Sequence, residues 1–213
     1  MSARPTVVVM AKAPRAGRSK TRLCPPCRPE QAAAVAEAAL RDTLATVRAT
    51  PGVARVVALD GPAGPWLPAG FDVVAQRGDG LGERLAHAVG GVDGPVVVIG
   101  MDTPQLDPAT LSSVVRSVRP GRAVLGPADD GGWWVLGLHR AERHAFDGVP
   151  MSADDTGIRQ AEQLRRCGLA VDPAPTLRDI DHWPDALAAA AATPGSRLAA
   201  AVAEVEASLV VAG

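Results

Sequence analysis

The stretch Pro95-Val96-Val97-Val98-Ile99-Gly100, continued by Met101-Asp102-Thr103-Pro104, decides how this chain is read. Four consecutive β-branched apolar residues stopped by a glycine describe a strand buried on both faces, the pattern of a central strand in a parallel sheet. A carboxylate stands just past its end. Toward the N-terminus, residues 6–10, 53–59 and 71–75 read as further strands, with helices over 29–49 and 81–89 and a Pro- and Gly-rich loop over 60–70. Pro29-Glu30 opens the long helix and Pro51-Gly52 stops it. Toward the C-terminus, a helix over 108–118 is N-capped by Asp107, and strands 123–126 and 133–138 flank a glycine-rich turn. Helices over 155–166, 185–192 and 196–210 complete the pattern. Strands alternating with helices require crossovers, which gives a single-domain three-layer α/β/α sandwich on a mainly parallel sheet. No repeat or linker divides residues 1–213. In such a sheet ligands lie outside the carboxyl ends of the strands, so the loops there are the ones to read for chemistry.

Composition narrows the function classes. The chain is 47% hydrophobic and 21% charged with a net charge of −1, which excludes wholesale disorder and gives no basic surface for nucleic acid. No apolar run approaches the roughly 20 residues that span a bilayer, and no signal-peptide pattern precedes the first strand. Three cysteines give no disulfide framework, so a cytoplasmic setting fits best. Of 22 lysines and arginines only Lys12 and Lys20 are lysine, and both stand in one short loop.

That loop, Lys12-Ala13-Pro14-Arg15-Ala16-Gly17-Arg18-Ser19-Lys20-Thr21-Arg22, leaves the first strand with five cationic side chains in eleven residues. Gly17 permits a tight turn, Ser19 and Thr21 add hydroxyls, and lysine is the compact, flexible cation suited to phosphate. Lys12, Gly17, Lys20, Thr21 and Arg22 are therefore expected to wrap a nucleotide's phosphate chain. Pro14 and Ser19 stand where a Walker loop needs glycine, which disfavours a P-loop enzyme.

Facing that loop, Asp102 is expected to hold Mg²⁺ (or Mn²⁺), an ion usually bound by one or two carboxylates plus phosphate oxygens. A second ligand is expected from Asp179-Ile180-Asp181, with Asp181 preferred and Asp179 the alternative. In Gly126-Pro127-Ala128-Asp129-Asp130-Gly131-Gly132-Trp133-Trp134, the glycines would admit a ligand to the backbone, Asp130 offers a carboxylate and Trp133 a stacking face. Asp130, Gly131, Gly132 and Trp133 are thus the expected acceptor site, with Trp134 in the core. Gln76 and Gly82, in the glycine-rich segment 76–84, are expected to line the nucleotide. Cys24-Pro25-Pro26-Cys27 ahead of a helix has the spacing of a dithiol centre, although Cys167 and the four histidines offer no matching zinc ligands.

Taken in order, the loop 12–23, Gly80 to Leu85, Gly100 to Pro104, Gly126 to Trp133 and Asp179-Ile180-Asp181 resemble the DUF2064 family over nearly the whole chain. That family, often labelled glycosyltransferase A-like and sometimes linked to arsenosugar biosynthesis, implies the nucleotide-diphospho-sugar transferase fold. The opening loop is also similar to that of 2-phospholactate guanylyltransferases. Two departures stand out: the Leu-Ala-Ala-Gly-x-Gly-x-Arg loop of sugar-phosphate nucleotidyltransferases is absent, and Trp133 replaces a common tyrosine. The reaction expected is nucleotidyl transfer from an NTP to a small phosphorylated or carboxylate acceptor with release of pyrophosphate, with Lys20, Asp102 and Asp130 catalytic. A glycosyltransferase using an NDP-sugar, with Asp130 or Asp129 as base, is the alternative, and a non-catalytic nucleotide-binding protein the second.

Overall fold

Seven strands and six α-helices occur among residues 3–212, which the computed structural model describes. The strands are β1 (Thr6–Lys12), β2 (Ala54–Asp60), β3 (Asp72–Ala75), β4 (Val96–Ile99), β5 (Arg122–Pro127), β6 (Trp133–Leu138) and β7 (Ala170–Pro173). The helices are α1 (Pro29–Ala49), α2 (Leu81–Gly90), α3 (Pro108–Ser117), α4 (Thr156–Arg166), α5 (Trp183–Ala192) and α6 (Arg197–Ala212). One sheet of order β3-β2-β1-β4-β6-β5-β7 takes all seven strands and places β4 in the middle. Val97 and Ile99 pack into a core shared with α1 and α3, while Val96 and Val98 pack into the opposite core with α2 and α4. Alternation of one apolar run between two cores is what puts helices on both faces. A third cluster joins α1 to α5 and α6 through Leu23, Ala32, Val35, Ile180 and Leu198.

The sheet is mostly parallel, as expected, with one exception. β6 runs antiparallel to both β4 and β5. Only residues 128–132 connect β5 to β6, and a connection that short can only make a hairpin. The sequence reading missed β7, a four-residue edge strand containing Pro173, because proline demotes a run that is not at an edge. Helix α5 begins at Trp183, two residues before the expected Asp185. Pro184 fits its first turn, and Asp185 accepts the His182 N–H at 2.8 Å from inside the helix. Asp107 caps α3 as expected, accepting from Ala109 N–H and Thr110 N–H at 2.7 and 2.9 Å. No helix among the described residues is long and apolar enough to cross a membrane.

Candidate active site

The loop after β1 is an arch stapled at its base. Ser19 donates its N–H to the Arg15 carbonyl at 3.0 Å and accepts the Arg15 N–H on its hydroxyl at 2.9 Å. Its hydroxyl is thereby spent inside the loop rather than offered to a ligand. Gly17 turns the tip at φ +72°. Lys20 is left-handed at φ +45°, a conformation that costs a non-glycine residue roughly 1–2 kcal/mol. The 3₁₀ turn Thr21–Leu23 that follows holds it there, with Leu23 N–H donating to the Lys20 carbonyl at 2.9 Å and the Leu23 side chain fully buried.

This arch aims Lys20 inward. Its ammonium donates to Asp102 at 2.5 Å and to Asp181 at 3.2 Å, and Arg22 pairs with the other Asp181 oxygen at 3.0 Å. Burial works against the Lys20 charge, yet Asp102 and Asp181 outweigh it and hold the ammonium above the usual lysine value. Burial likewise opposes the Asp181 charge, and Lys20 with Arg22 holds that carboxyl below the ordinary range. Lys20, expected at the phosphates, is therefore also the internal counter-ion of the carboxylates. Lys12 is exposed and, among the described residues, forms no ion pair.

Asp179 is the odd member. Burial first, then the charges of Asp102, Asp130 and Asp181, push its carboxyl up to about 6. One oxygen from each of Asp102, Asp179 and Asp181 lies within 4.8 Å of the others. Three hard oxygen donors, one with its charge uncompensated, fit Mg²⁺ or Mn²⁺. The segment carrying two of them reaches β4 by non-local tethers. Ile180 N–H donates to the Asp102 carbonyl at 3.2 Å, the Trp134 indole to the Pro175 carbonyl at 2.8 Å, and Asp129 N–H to the Leu177 carbonyl at 3.2 Å.

A cleft of about 990 Å³ opens over these carboxylates, lined by Lys12, Arg22, Gln76, Asp130, Gly132 and Trp133 among others. A smaller cavity of about 250 Å³ behind the arch is lined by Lys12, Arg18, Lys20, Thr21 and Arg22. Three predicted residues stand apart from both: Gly17 has open space around it, Gly82 packs beside Met151 and the Phe146 carbonyl, and Gly131 lies against Asp154. The turn glycines serve a purpose the sequence did not suggest. A Cβ on Gly131 would land on the Asp154 carbonyl, and Gly157 N–H donates to the Gly131 carbonyl at 2.8 Å. Gly131 admits the start of α4 while Gly132 lines the cleft, and that approach brings Met151, Ser152 and Asp154 into the cleft wall. Ser152, left-handed at φ +64°, and these neighbours were not singled out; the only sequence signal was a polar segment opened by Pro150 ahead of a helix. Asp130 binds its own turn through the Gly132 N–H at 2.8 Å, whereas Asp129 is paired to Arg178 at 3.0 Å. Trp133 stacks on Phe146 with ring centroids 6.4 Å apart.

The dithiol reading loses its support here. Cys24 and Cys27 are free and pack in the cluster between α1 and α6, and burial, then Cys24, raises the Cys27 thiol above its usual value. A reactive pair needs the opposite shift.

Residues 36–153 match the family model described as "Uncharacterized protein conserved in bacteria (DUF2064)", more than half of the chain. Among solved structures, a "putative nucleotide-diphospho-sugar transferase" from Desulfovibrio desulfuricans G20 superposes with a TM-score of 0.85 at 25% identity, covering 97% of this chain and 96% of that one. A CMP:2-keto-3-deoxy-manno-octonic acid synthetase complexed with CTP aligns at TM-score 0.57 and 13% identity, over 87% of this chain and 96% of that one. Rv0371C of Mycobacterium tuberculosis H37Rv, in complex with manganese, aligns at 0.54 and 20% identity, over 89% and 98%. Among curated proteins none matches. The fold is that of the nucleotide-diphospho-sugar transferases, as the opening motifs implied.

Proposed function

This chain belongs to the DUF2064 family, and from that premise we propose that it is a Mg²⁺- or Mn²⁺-dependent nucleotidyltransferase. It moves a nucleotidyl group from an NTP to a small phosphorylated or carboxylate acceptor and releases pyrophosphate. The observation that carries this reading is the meeting of the cationic arch with Asp102, Asp179 and Asp181 at the mouth of one cleft. The similarity to solved transferases that use nucleotides supports it at the level of fold.

In this reading Lys12 and Arg22 bind the phosphate chain, and Lys20 orients Asp102 and Asp181 while adding positive charge behind the leaving group. Asp102 with Asp181 and Asp179 would hold the divalent ion, which supplies charge neutralisation at the reacting phosphate. The acceptor, seated by Asp130, Gly132 and Trp133, places an oxygen in line with the α-phosphorus. The new P–O bond forms as the bond to the β-phosphate breaks. Where the acceptor is a hydroxyl, Asp130, which forms no ion pair among the described residues, takes the proton; Asp129 is committed to Arg178. A glycosyltransferase reading is favoured by one observation, the 25%-identical structure described as a nucleotide-diphospho-sugar transferase. The cytoplasm is the proposed setting.

Thermal melting with each NTP and with NDP-sugars, with and without Mg²⁺, tests the assignment. Nucleotide and metal together should stabilise the protein, by about 2.7 kcal/mol at a hundred times Kd. Asp102→Asn should fold, lose the response to Mg²⁺ and turn over at least about a hundredfold more slowly. A metal response that survives Asp102→Asn but not Asp130→Asn would move the ion to the glycine turn. Binding without turnover of any acceptor would identify a nucleotide sensor.

A further inference from the structure

The far end of the cleft, where β2 and β3 finish, carries polar groups that the phosphate and metal chemistry leaves unused. Leu59 pairs with Ala75 in the parallel register, and Gln76 N–H donates to the Leu59 carbonyl at 3.0 Å. Asp60 and Gln76 are therefore side-by-side neighbours at the strand ends, and both line the cleft. The Gln76 amide nitrogen donates to the Ala11 and Ala58 carbonyls, each at 2.9 Å. Both amide hydrogens are thereby spent, and the group cannot turn over without setting oxygen against two carbonyl oxygens. What Gln76 has left for a ligand is Oε1, an acceptor only.

Asp60 is also an acceptor. One of its oxygens takes the Arg84 guanidinium at 3.0 Å; the other has no partner among the described residues, and the side chain is 42% exposed. Arg84 is pinned a second time through its Nε to the Gly78 carbonyl at 3.1 Å, so its remaining N–H groups flank the two acceptors as fixed donors. Leu81, 45% exposed, adds an apolar side chain to the same wall.

Two adjacent acceptors, a flanking donor and an apolar neighbour match one nucleobase edge. Guanine presents N2–H and N1–H side by side, followed by the O6 acceptor. Adenine and cytosine place an acceptor ring nitrogen beside their amino group, and uracil places carbonyls on both sides of its single N–H. Each of those would set acceptor against acceptor, and a polar group that the bound base covers but leaves unpaired is what makes such a site selective. We propose that the Asp60–Gln76 end of the cleft is a base subsite that selects guanine nucleotides, an inference that rests on the reading of the cleft as a nucleotide site.

Calorimetric titration of the full chain with GTP, ATP, CTP and UTP in Mg²⁺ tests it. GTP should bind at least about tenfold tighter than the other three, within the range a bidentate base contact supplies. Asp60→Ala, which removes one half-exposed ion pair and should change the melting temperature little, should weaken GTP at least about fivefold and the others less than about twofold. Equal affinity for all four, preference for another base, or a GTP preference untouched by Asp60→Ala would each overturn the guanine subsite while leaving the nucleotide site standing. Binding of none of the four would instead remove the nucleotide reading, and this inference with it.

Discussion

Asp179 carries the largest electrostatic tension at the level of single residues. Asp102 and Asp181 share Lys20, whereas burial and like charge act on Asp179 and outweigh the backbone hydrogen bond that favours its charged form. Its folded value of about 6 lies above its ordinary 3.8, so the folded protein holds that proton more tightly than the unfolded chain. The associated stability is full below about pH 4 and is lost as pH rises through about 6. Asp179→Asn, neutral throughout, should melt higher than the parent above pH 6 in the absence of metal and converge with it near pH 4. Added Mn²⁺ should raise the parent's melting temperature more than the variant's. A variant that melts lower at pH 8 would show that Asp179 is compensated by a group other than an ion. The choice of Asp181 over Asp179 was not decidable from the sequence, because two carboxylates one residue apart in an extended segment have equivalent patterns. Their difference comes from Lys20 and Arg22, which of the two touch Asp181 and not Asp179.

At the level of elements, left-handed glycines separate into those that turn the chain and those that let two elements touch. Gly17 and Gly131 have similar dihedrals, φ +72° and +86°. Around Gly17 there is open space, whereas a Cβ on Gly131 meets the Asp154 backbone at the start of α4. Gly17→Ala should cost about 1–2 kcal/mol, the conformational penalty alone. Gly131→Ala should cost roughly 2–5 kcal/mol, because overpacking against backbone adds to that penalty. Urea denaturation of the two variants checks the difference, and equal costs would mean that the β5–β6 turn and α4 separate without penalty. Both glycines were visible as punctuation in the sequence. That one faces solvent and the other faces Asp154 depends on where α4 begins, which no local pattern specifies.

Across the whole molecule, the candidate site is assembled from three places: the loop after β1, the end of β4, and a segment that follows all seven strands in the chain. Lys20 meets Asp102 across 82 residues and Asp181 across 161. Ile180, 1% exposed between the two carboxylates, anchors the last piece in the cluster with α1, α5 and α6. Ile180→Ala should therefore cost about 2–5 kcal/mol of stability and weaken Mn²⁺ binding without altering any ligand. Melting temperature and metal titration would move together; a stable variant with unchanged metal affinity would show that the segment is held by its hydrogen bonds alone.

By itself the sequence determined the central strand, the helices on both faces, the cationic loop and Asp102. Each of these follows from short-range rules: hydrophobic period, glycine and proline punctuation, and the position of a charge at a strand's end. Tertiary structure alone decided that Lys20 would be shared between carboxylates, that Gln76 would present only an acceptor, and that Gly131 would receive a helix. Those outcomes turn on contacts between segments far apart in the chain. A side chain's free donors and acceptors are whatever its distant neighbours leave unsatisfied, and that remainder is fixed only when the sheet closes.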